Sequence, residues 1–308
     1  MAGRIMDGKK VGAEIRAEVT EGVDTLKRAG LRVPGLAAVL VGENPASKIY
    51  VASKVKACGE AGIYSEKVQM GKDSTTEEIL GVVTGLNRRD EIDGILVQLP
   101  LPDGVNEGSV LEAIDPSKDV DGFHPISVGR MVLNRPAFVP CTPAGIMELL
   151  RRYDVELKGK RVVIVGRSNI VGKPLFFLLL REHATVTVCH SRTQDLPAVC
   201  READILVAAV GRPGMIDENY IKPGAVVVDV GINRLTEEAD VRRFFGADEK
   251  RLEVFARRGS TLVGDVHPLA VRKLASLYTP VPGGVGPLTI AMLLSNTLTS
   301  ARSALGAG

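Results

Sequence analysis

The sequence predicts a two-domain α/β protein with a parallel sheet in each domain. Short apolar runs that fit strands alternate with longer amphipathic segments that fit helices, which is the pattern of βαβ units. The alternation occurs twice, on either side of residues 115–141, where prolines and glycines interrupt any periodicity. A chain of 308 residues is long enough for two domains of ordinary size.

The first half contains a β-α-β-α-β series, which predicts a parallel sheet of its own. Residues 11–29 have apolar positions at helical period, Asn44-Pro45 begins a second helix, and residues 73–78 carry a capping-box pattern that begins a third. We expect strands at residues 36–41, 64–70 and 94–99 and a short helix over 107–114.

The second half begins with a helix over residues 142–153, followed by a strand, a glycine turn and another helix. Val162–Val165 is β-branched and free of charge, as in a strand buried on both faces. Gly166 ends the strand, and Pro174 stands in the first helical turn, where a missing N–H is tolerated. Free N–H groups and the positive dipole end at such a helix start can bind a phosphate. Further strands are expected at 184–189, 205–210, 225–230 and 261–263, and a last helix runs to about residue 301.

The glycine turn departs from the usual dinucleotide-binding spacing, because Gly166 and Gly172 are its only glycines, and a plain βα turn would show the same residues. The next strand, however, leads into His190-Ser191-Arg192-Thr193, where an NAD site would place an acidic residue for the ribose hydroxyl. With Arg167, this segment supplies guanidinium and hydroxyl groups that suit a 2′-phosphate. We therefore predict NADP in preference to NAD, the alternative being that both arginines are ordinary surface residues.

Composition argues against several other classes of protein. The net charge of +2 and the absence of tryptophan disfavour a nucleic-acid partner and a charged membrane surface. The longest apolar run, Leu175–Leu180, is too short to cross a bilayer. The cysteines form no CxxC pair and the histidines have no metal-ligand spacing, so we expect reduced thiols, no metal site and a cytoplasmic location.

Polar residues of the first half are the candidates for catalysis. Tyr50 and Lys54 are four residues apart, so they share one face of the second helix. Gln98 lies near the carboxyl end of its strand, where open α/β sheets bind ligands. Asp121 lies in a turn whose other carboxylate, Asp119, is explained by an Asx turn. Tyr50, Lys54 and Gln98 each have a structural alternative, namely a core tyrosine, a solvated lysine and an edge-strand glutamine, whereas Asp121 has no obvious local role.

A second glycine-rich stretch, Pro282–Gly286, precedes the last helix. Its backbone could approach a flat ligand closely, or it could be a tight loop into the helix. His124 has no partner in the sequence and is interpreted as structural. The Tyr-x-x-x-Lys pattern of Tyr50 and Lys54 also occurs in short-chain dehydrogenases, but there the nucleotide turn precedes the pair, whereas here the pair comes first.

Several stretches, in their order and spacing, resemble the bifunctional methylenetetrahydrofolate dehydrogenase/cyclohydrolase (FolD) family, and the resemblance covers nearly the whole chain. The matching stretches are Lys48–Lys54, Gln98–Pro102, Pro116–Pro125, Gly166–Pro174 and Pro280–Thr289. One departure is Thr236–Arg258, which is longer than is usual in the family. We interpret this charged segment as an exposed excursion outside the core.

The resemblance implies a folate-binding catalytic α/β domain at residues 1–141, completed by the C-terminal helix at 280–308, and a Rossmann-like NADP-binding domain with a parallel sheet at 142–279. It implies NADP-dependent oxidation of 5,10-methylenetetrahydrofolate to the 5,10-methenyl cation and hydrolysis of that cation to 10-formyltetrahydrofolate, both at one cleft between the domains. It also implies a homodimer.

By matching positions, the resemblance assigns roles to the candidates. Lys54 would be the central catalytic group, Gln98 would hold it, Tyr50 would stack on the folate and Asp121 would bind the donor edge of the pterin. The other implied substrate-binding residues are Leu99, Pro100, Pro282, Gly283, Gly284, Val285 and Gly286, and the implied cofactor-binding residues are Gly166, Arg167, Ser168, Ile170, Val171, Gly172, Ser191, Arg192 and Ile232. Because hydride loss leaves a positive charge on the folate, we expect the Lys54 amine to be uncharged in that step.

Two rival functions stay open at this point. A short-chain-like reductase would use Tyr50 and Lys54 on carbonyl substrates without folate. A non-catalytic NADP-binding sensor would keep the arginine region and have no use for Tyr50, Lys54, Gln98 and Asp121 together.

Overall fold

The computed structural model describes residues 3–307, and the chain divides into two compact units. The six-stranded unit comprises the chain up to Val11 and Thr142–Leu288. The three-stranded unit comprises Gly12–Cys141 and the residues from Thr289 onward. In chain order the helices and strands are β1 (Arg4–Ile5), α1 (Gly8–Arg28), β2 (Gly35–Val41), α2 (Pro45–Glu60), β3 (Tyr64–Met70), α3 (Thr76–Asn87), β4 (Gly94–Val97), α4 (Glu107–Glu112), α5 (Pro125–Val132), α6 (Cys141–Arg152), β5 (Arg161–Val165), α7 (Gly172–Arg181), β6 (Thr185–Cys189), α8 (Leu196–Arg201), β7 (Ile205–Ala208), β8 (Val226–Asp229), β9 (Asn233–Leu235), α9 (Glu238–Phe245), α10 (Glu249–Arg258), β10 (Thr261–Val263), α11 (Pro268–Leu274), β11 (Leu277–Tyr278) and α12 (Gly286–Ala304).

β2 is the central strand of the three-stranded sheet, whose order is β3-β2-β4 with parallel pairings. Every residue of β2 is buried, because successive side chains face opposite sides of the sheet and both sides are covered. Leu36 and Leu40 pack into one hydrophobic core, and Ala37 and Val41 pack into another. The predicted parallel sheet of the first half is therefore confirmed.

The helices beside this sheet begin where side chains cap them. The Asn44 side chain accepts hydrogen bonds from backbone N–H groups at the start of α2. At α3, Thr75 Oγ1 accepts from the Glu78 N–H, and the Glu78 carboxylate accepts from the Thr75 N–H, so the predicted capping box is confirmed. Because α2 begins at this cap, Tyr50 and Lys54, which are four residues apart, lie on the same face of the helix.

The six-stranded sheet has the order β1-β11-β8-β7-β5-β6, and all its pairings are parallel. Strands β5 to β8 are those predicted for the second half, which confirms a Rossmann-like parallel sheet. The two short strands β1 and β11, at one side of the sheet, have no counterpart in the sequence prediction, because strands of two residues carry no periodicity.

The strands β1 and β11 affect where the boundary between the two units lies. The sequence places the first residues and the segment 280–288 in the folate-binding domain, but both belong to the six-stranded unit. The reason is that β1 pairs with β11, and the Met6 N–H then donates to the Tyr278 carbonyl oxygen at 2.7 Å. The chain therefore passes into the three-stranded unit within α1 and returns to it within α12.

The charged segment 236–258 is not the coreless excursion that the sequence predicts. It folds into α9 and α10, and Val241, Phe244 and Phe245 of α9 are buried. Their i, i+3, i+4 spacing places these apolar side chains on one helix face. The surrounding charges hide that stripe when the segment is judged by composition alone.

The strand predicted at 261–263 exists as β10, but it does not join the main sheet. It pairs with β9 in a separate two-stranded antiparallel sheet, with Thr261 opposite Leu235 and Val263 opposite Asn233. Val263 and Leu235 contribute to the small core under α9. The segment 233–263 is therefore a folded subassembly attached to the six-stranded unit.

Within residues 3–307, no helix combines the length and apolar character needed to cross a membrane. In the same part of the chain, no group of three or more His, Cys, Asp and Glu side chains is arranged to hold a metal ion. The cysteines at positions 58, 141, 189 and 200 are buried free thiols.

The turn between β5 and α7 is built by close backbone contacts. A Cβ on Gly166 would lie 2.2 Å from the Ala209 carbonyl oxygen, and a Cβ on Gly172 would lie 2.1 Å from the Gly166 carbonyl oxygen. Gly166 also has a φ of +130°, which L side chains rarely adopt. A side chain at either position would push the helix away from the sheet, so the predicted phosphate-binding turn depends on both glycines.

Replacing Gly172 by alanine should lower the free energy of unfolding by about 1–3 kcal/mol, because the new methyl group overlaps the Gly166 carbonyl oxygen. Gly81 is a matched control: it lies inside α3, and no atom outside that helix lies within 4 Å of its Cβ position. Gly81→Ala should raise stability by about 0.5–1 kcal/mol. Urea unfolding followed by circular dichroism measures both variants, and equal effects would contradict the close-contact explanation.

Candidate active site

Lys54 and Gln98 meet at the carboxyl end of the three-stranded sheet. Lys54 lies on α2 with only 8% of its surface exposed. Its Nζ donates to Gln98 Oε1 over 3.2 Å. Gln98 follows β4, and its Nε2 donates to the Leu99 carbonyl oxygen over 2.8 Å, which turns Oε1 toward the lysine. The Gln98 side chain, which accepts the hydrogen bond from the amine, is therefore itself fixed by a hydrogen bond to the backbone.

Tyr50 lies one helical turn before Lys54 on α2, with 45% of its surface exposed. An exposed aromatic ring beside a buried amine can stack on a flat ligand while the amine reaches the ligand's polar atoms. Leu99 is half-buried and Pro100 is exposed directly after Gln98.

Asp121 and Lys54 both interact electrostatically with the thiol of Cys141. Burial raises the pKa of the Cys141 thiol well above its usual value, and the charge of Asp121 raises it further, whereas Lys54 lowers it. The Cys141 thiol is therefore within electrostatic reach of both Asp121 and Lys54. Sequence reasoning missed Cys141, since a lone cysteine at a helix start carries no chemical pattern.

The turn that carries Asp121 is held by its neighbours. The Asp119 carboxylate accepts hydrogen bonds from the N–H groups of Phe123 and His124, at 3.1 and 2.9 Å. His124 Nδ1 accepts from the backbone at the start of α5 and caps that helix. The structural interpretation of His124 is confirmed. Asp119 also stabilises the turn, but through donors four and five residues further on and not through the expected Asx turn. Asp121 is half-buried.

The Pro282–Gly286 loop lies in the six-stranded unit, where it lines a pocket of about 160 Å³ together with Lys9, Ile232 and Leu262. Ile232 is 49% exposed. A Cβ on Gly284 would lie 2.6 Å from the carbonyl oxygen of Pro280, so the loop folds tightly on itself. The loop and Ile232, which the sequence assigns to different ligands, therefore share one pocket.

A second pocket of the six-stranded unit, of about 260 Å³, is lined by Gly166, Arg167 and Ser191 of the predicted cofactor site. Arg212 also lines it and is absent from the sequence prediction. No acidic side chain occurs among the described residues of this lining. Arg192 is exposed and lies outside the lining. This pocket thus contains some of the predicted cofactor-binding residues and one further cationic side chain, Arg212.

Ser168 lies in the turn before α7, beside this pocket. Its Oγ accepts hydrogen bonds from the N–H groups of Val171 and Gly172, at 3.1 and 3.4 Å. The sequence predicts free N–H groups at this helix start, and for these two groups that prediction is wrong. The Ser168 hydroxyl can still donate its own hydrogen to a ligand. Ile170 is 44% exposed in the same turn.

Asp265 holds the loop that carries Arg212. Its side chain is fully buried and accepts hydrogen bonds from the N–H groups of Val210, Gly211 and Arg212, at 2.6, 2.9 and 2.8 Å. Asn233 Nδ2 donates to the same carboxylate over 2.9 Å. A buried carboxylate requires such donors, and it fixes the loop that supplies them. Sequence reasoning missed this residue because Gly-Asp after a strand is typical of an ordinary turn.

Asp229, at the end of β8, holds Asp265 in turn. Its carboxylate accepts from the N–H groups of Gly231, Asp265 and Val266, each at 2.9 Å. Burial raises the pKa of Asp229 to about 7, and the charge of Asp265 raises it as well, against the backbone N–H groups that favour the carboxylate. Gly264 permits the contact, because a Cβ there would lie 1.8 Å from Asp229 Oδ2.

A larger cavity, of about 620 Å³, lies at the amino end of β4 and contains none of the predicted site residues. Its polar lining groups serve internal contacts. Ser300 Oγ donates to the carbonyl oxygens of Asp93 and Ser117, and Lys118 Nζ donates to two further carbonyl oxygens. Size alone therefore does not mark the site in this unit.

Comparison with protein families matches both parts of the chain. Residues 6–121 match the family model described as tetrahydrofolate dehydrogenase/cyclohydrolase, catalytic domain. Residues 140–305 match the model described as tetrahydrofolate dehydrogenase/cyclohydrolase, NAD(P)-binding domain. The first model includes Tyr50, Lys54, Gln98 and Asp121, and the second includes the glycine turn.

Similar proteins extend over the full length of the chain. A bifunctional protein FolD from Koribacter versatilis is 58% identical over 302 residues, which are 98% of each sequence. The bifunctional FolD structure from Campylobacter jejuni is 46% identical, with a TM-score of 0.89, and the match covers 98% of this chain and 99% of that one. The methylenetetrahydrofolate dehydrogenase-cyclohydrolase from Trypanosoma brucei, solved with NADP cofactor and inhibitor, is 39% identical over 99% of both chains, with a TM-score of 0.89.

Replacing Asp229 by asparagine should change how stability depends on pH. An unfolded aspartate loses its proton at about pH 4, whereas the folded protein holds the pKa of Asp229 at about 7. Between these values the folded state binds the extra proton. The contribution of this group to the free energy of unfolding therefore falls as pH rises from about 4 to about 7, by up to about 1.4 kcal/mol per pH unit, and is constant above that range.

Urea unfolding of the wild type and Asp229→Asn, at intervals from about pH 5 to about pH 8, measures this difference. The stability of the wild type relative to the variant should decrease with rising pH and then level off. A difference that stays constant across the range would contradict the raised pKa.

Proposed function

This chain belongs to the tetrahydrofolate dehydrogenase/cyclohydrolase family, and we propose that it oxidises 5,10-methylenetetrahydrofolate with NADP and then hydrolyses the 5,10-methenyl cation to 10-formyltetrahydrofolate. The observation that carries the proposal is the buried Lys54 amine held by Gln98, with Tyr50 one helical turn away on α2. Asp121 and Lys54 both act electrostatically on the Cys141 thiol. The short-chain reductase and the sensor, the two rivals, have no comparable support, because the catalytic-domain model covers these four residues.

Tyr50 and Asp121 bind the folate in this proposal. The pterin ring is flat and carries N–H donors along one edge. The exposed Tyr50 ring stacks on that face, and the Asp121 carboxylate accepts from the donor edge. Leu99, Pro100 and the backbone of Pro282, Gly283, Gly284, Val285 and Gly286 complete the substrate-binding set.

Lys54 is the catalytic residue. Loss of hydride leaves a positive charge shared by the two folate nitrogens and the one-carbon unit. A second cation about 4 Å away would oppose that charge by roughly 4 kcal/mol at an intermediate dielectric constant. The oxidation step therefore favours the uncharged form of the amine. Gln98 fits this requirement, because its amide oxygen orients the amine without adding a charge.

The same amine serves the hydrolysis. A water molecule adds to the methenyl carbon, and Lys54 Nζ takes a proton from it. The C–N bond to one folate nitrogen then breaks, and that nitrogen receives the proton from Lys54. The hydroxyl group on the one-carbon unit loses its remaining proton to solvent as it becomes the formyl carbonyl on the other nitrogen, so the reaction releases one proton overall. One proton moves onto the amine and off it again, so Lys54 returns to its starting form.

The residues of the six-stranded unit fit NADP. The 260 Å³ pocket combines Arg167, Ser191 and Arg212, and its described lining has no acidic side chain that would repel a 2′-phosphate. The close backbone contact between Gly166 and Gly172 leaves no room for a side chain at either of these two positions. When bound, NADP accepts the hydride. We assign its binding to Gly166, Arg167, Ser168, Ile170, Val171, Gly172, Ser191, Arg192 and Ile232, and we add Arg212.

We propose a tetrahydrofolate-derived small molecule as the substrate and no nucleic-acid partner. The homodimer implied by the family resemblance and the cytoplasmic location predicted from the cysteine pattern are part of the same proposal.

The proposed activity is tested by mixing the protein with 5,10-methylenetetrahydrofolate and either NADP or NAD and recording the absorbance of the reduced cofactor and the methenyl product. Reduction should be faster with NADP than with NAD at equal concentration, because Arg167 and its neighbours recognise the 2′-phosphate. Faster reduction of NAD would contradict the cofactor assignment. No reduction of either cofactor would contradict the proposed function.

Replacing Lys54 by methionine should lower the cyclohydrolase rate at least about 100-fold, because the proton acceptor is lost. The dissociation constant for NADP should stay within about twofold, since the cofactor residues lie elsewhere in the chain. The decay of methenyltetrahydrofolate absorbance and NADPH fluorescence titration measure the two quantities.

Lys56→Met is the matched control, because Lys56 is on the same helix and its side chain is 78% exposed. It should retain both properties. A Lys54→Met protein that hydrolyses the methenyl substrate at the wild-type rate, or that loses NADP binding, would contradict the assignment.

A further inference from the structure

Arg251 in the folded segment 236–258 forms hydrogen bonds with loops of the six-stranded unit. Arg251 of α10 is half-buried, although its helix contains many charged residues and no fully buried one. Its guanidinium carbon lies 4.5 Å from the centre of the Phe245 ring. Burial lowers the pKa of the Arg251 guanidinium from its usual value, while the charge of Asp248 opposes that shift. The group remains a cation with its donors in a rigid plane.

The donors of Arg251 reach two walls of the pocket that contains the Pro282–Gly286 loop. Nη1 donates to the Leu262 carbonyl oxygen over 3.3 Å, and Nη2 donates to the Val281 carbonyl oxygen. Leu262 and Val281 both line the 160 Å³ pocket. A single planar group therefore sets the spacing of β10 and the start of the loop.

These contacts suit positioning better than general stabilisation. Hydrogen bonds from a charged donor are stronger than those between neutral groups, and a guanidinium fixes two acceptors at a defined separation. The Phe245 ring restricts the stem, so the fork cannot swing freely. The loop of the other pocket, at residues 210–212, is held separately by Asp265.

We infer that Arg251 is a positioning residue for the folate, acting through the Val281 carbonyl oxygen on the Pro282–Gly286 loop. This inference rests on the proposed function, in which that loop binds the substrate. It assigns a role to the charged segment 236–258. Loss of Arg251 weakens folate binding and leaves NADP binding and the chemical step in place.

The test compares Arg251→Met, which keeps an apolar stem and removes the donors, with Arg251→Lys, which keeps a charge but not the fork. Arg258→Met is the control, since Arg258 is exposed at the end of the same helix. For Arg251→Met the KM for 5,10-methylenetetrahydrofolate should rise about tenfold, with kcat and the KM for NADP within about twofold of the wild type. Arg251→Lys should show a smaller rise, and Arg258→Met none.

Circular dichroism and the melting temperature identify a variant that fails to fold, and in that case Arg251→Lys decides the matter. A folate KM that stays at the wild-type value in the folded variant overturns the inference and leaves the proposed function intact. Parallel rises in both KM values also overturn it, because they indicate general loosening. A wild-type protein without dehydrogenase activity overturns the proposed function itself, and the inference with it.

Discussion

Two buried carboxylates that accept backbone N–H groups fix the loops at the carboxyl edge of the six-stranded sheet. Asp229 binds the backbone after β8 and the backbone at Asp265, and Asp265 binds residues 210–212. An uncompensated buried charge costs several kcal/mol, so these loops cannot move apart without leaving a carboxylate unpaired. The order of the cofactor loops therefore comes from charge as well as from packing. Arg212 takes its place in the pocket as a consequence.

The site around Lys54 differs from these loops, because its hydrogen-bond acceptor is a neutral amide and not a carboxylate. Lys54 is buried, yet its hydrogen-bond acceptor is the neutral amide of Gln98, and the Asp121 carboxylate acts on the Cys141 thiol. A carboxylate in the place of Gln98 would bind the protonated amine strongly and oppose its release of a proton. A neutral acceptor orients the amine at little electrostatic cost. That arrangement suits an amine that must take up and return a proton within one turnover.

The sequence predicts the parts of this molecule that depend on local pattern. Helical spacing is enough to place Tyr50 beside Lys54, and β-branched runs are enough to locate the central strands. Asp265 escapes prediction because its four donors come from distant parts of the chain. The strands β1 and β11 escape prediction because each is only two residues long, and the Pro282–Gly286 loop that follows β11 belongs to the six-stranded unit. Cys141 escapes because its neighbours are set by tertiary packing.

The charged segment 236–258 packs mainly on itself and leaves the main sheet undisturbed. Its apolar side chains form a core of their own around Phe244 and Phe245, so α9 and α10 do not compete with the main sheet for packing. Contact with the loops is made at a few points: Phe244 lies against Gly214, where a Cβ would come within 2.2 Å, and Arg251 reaches Val281. A self-contained subassembly that meets the functional loops at such points can change their stiffness while the strands that carry them stay the same. For this reason, variation in this segment between relatives should affect ligand affinity before it affects the fold.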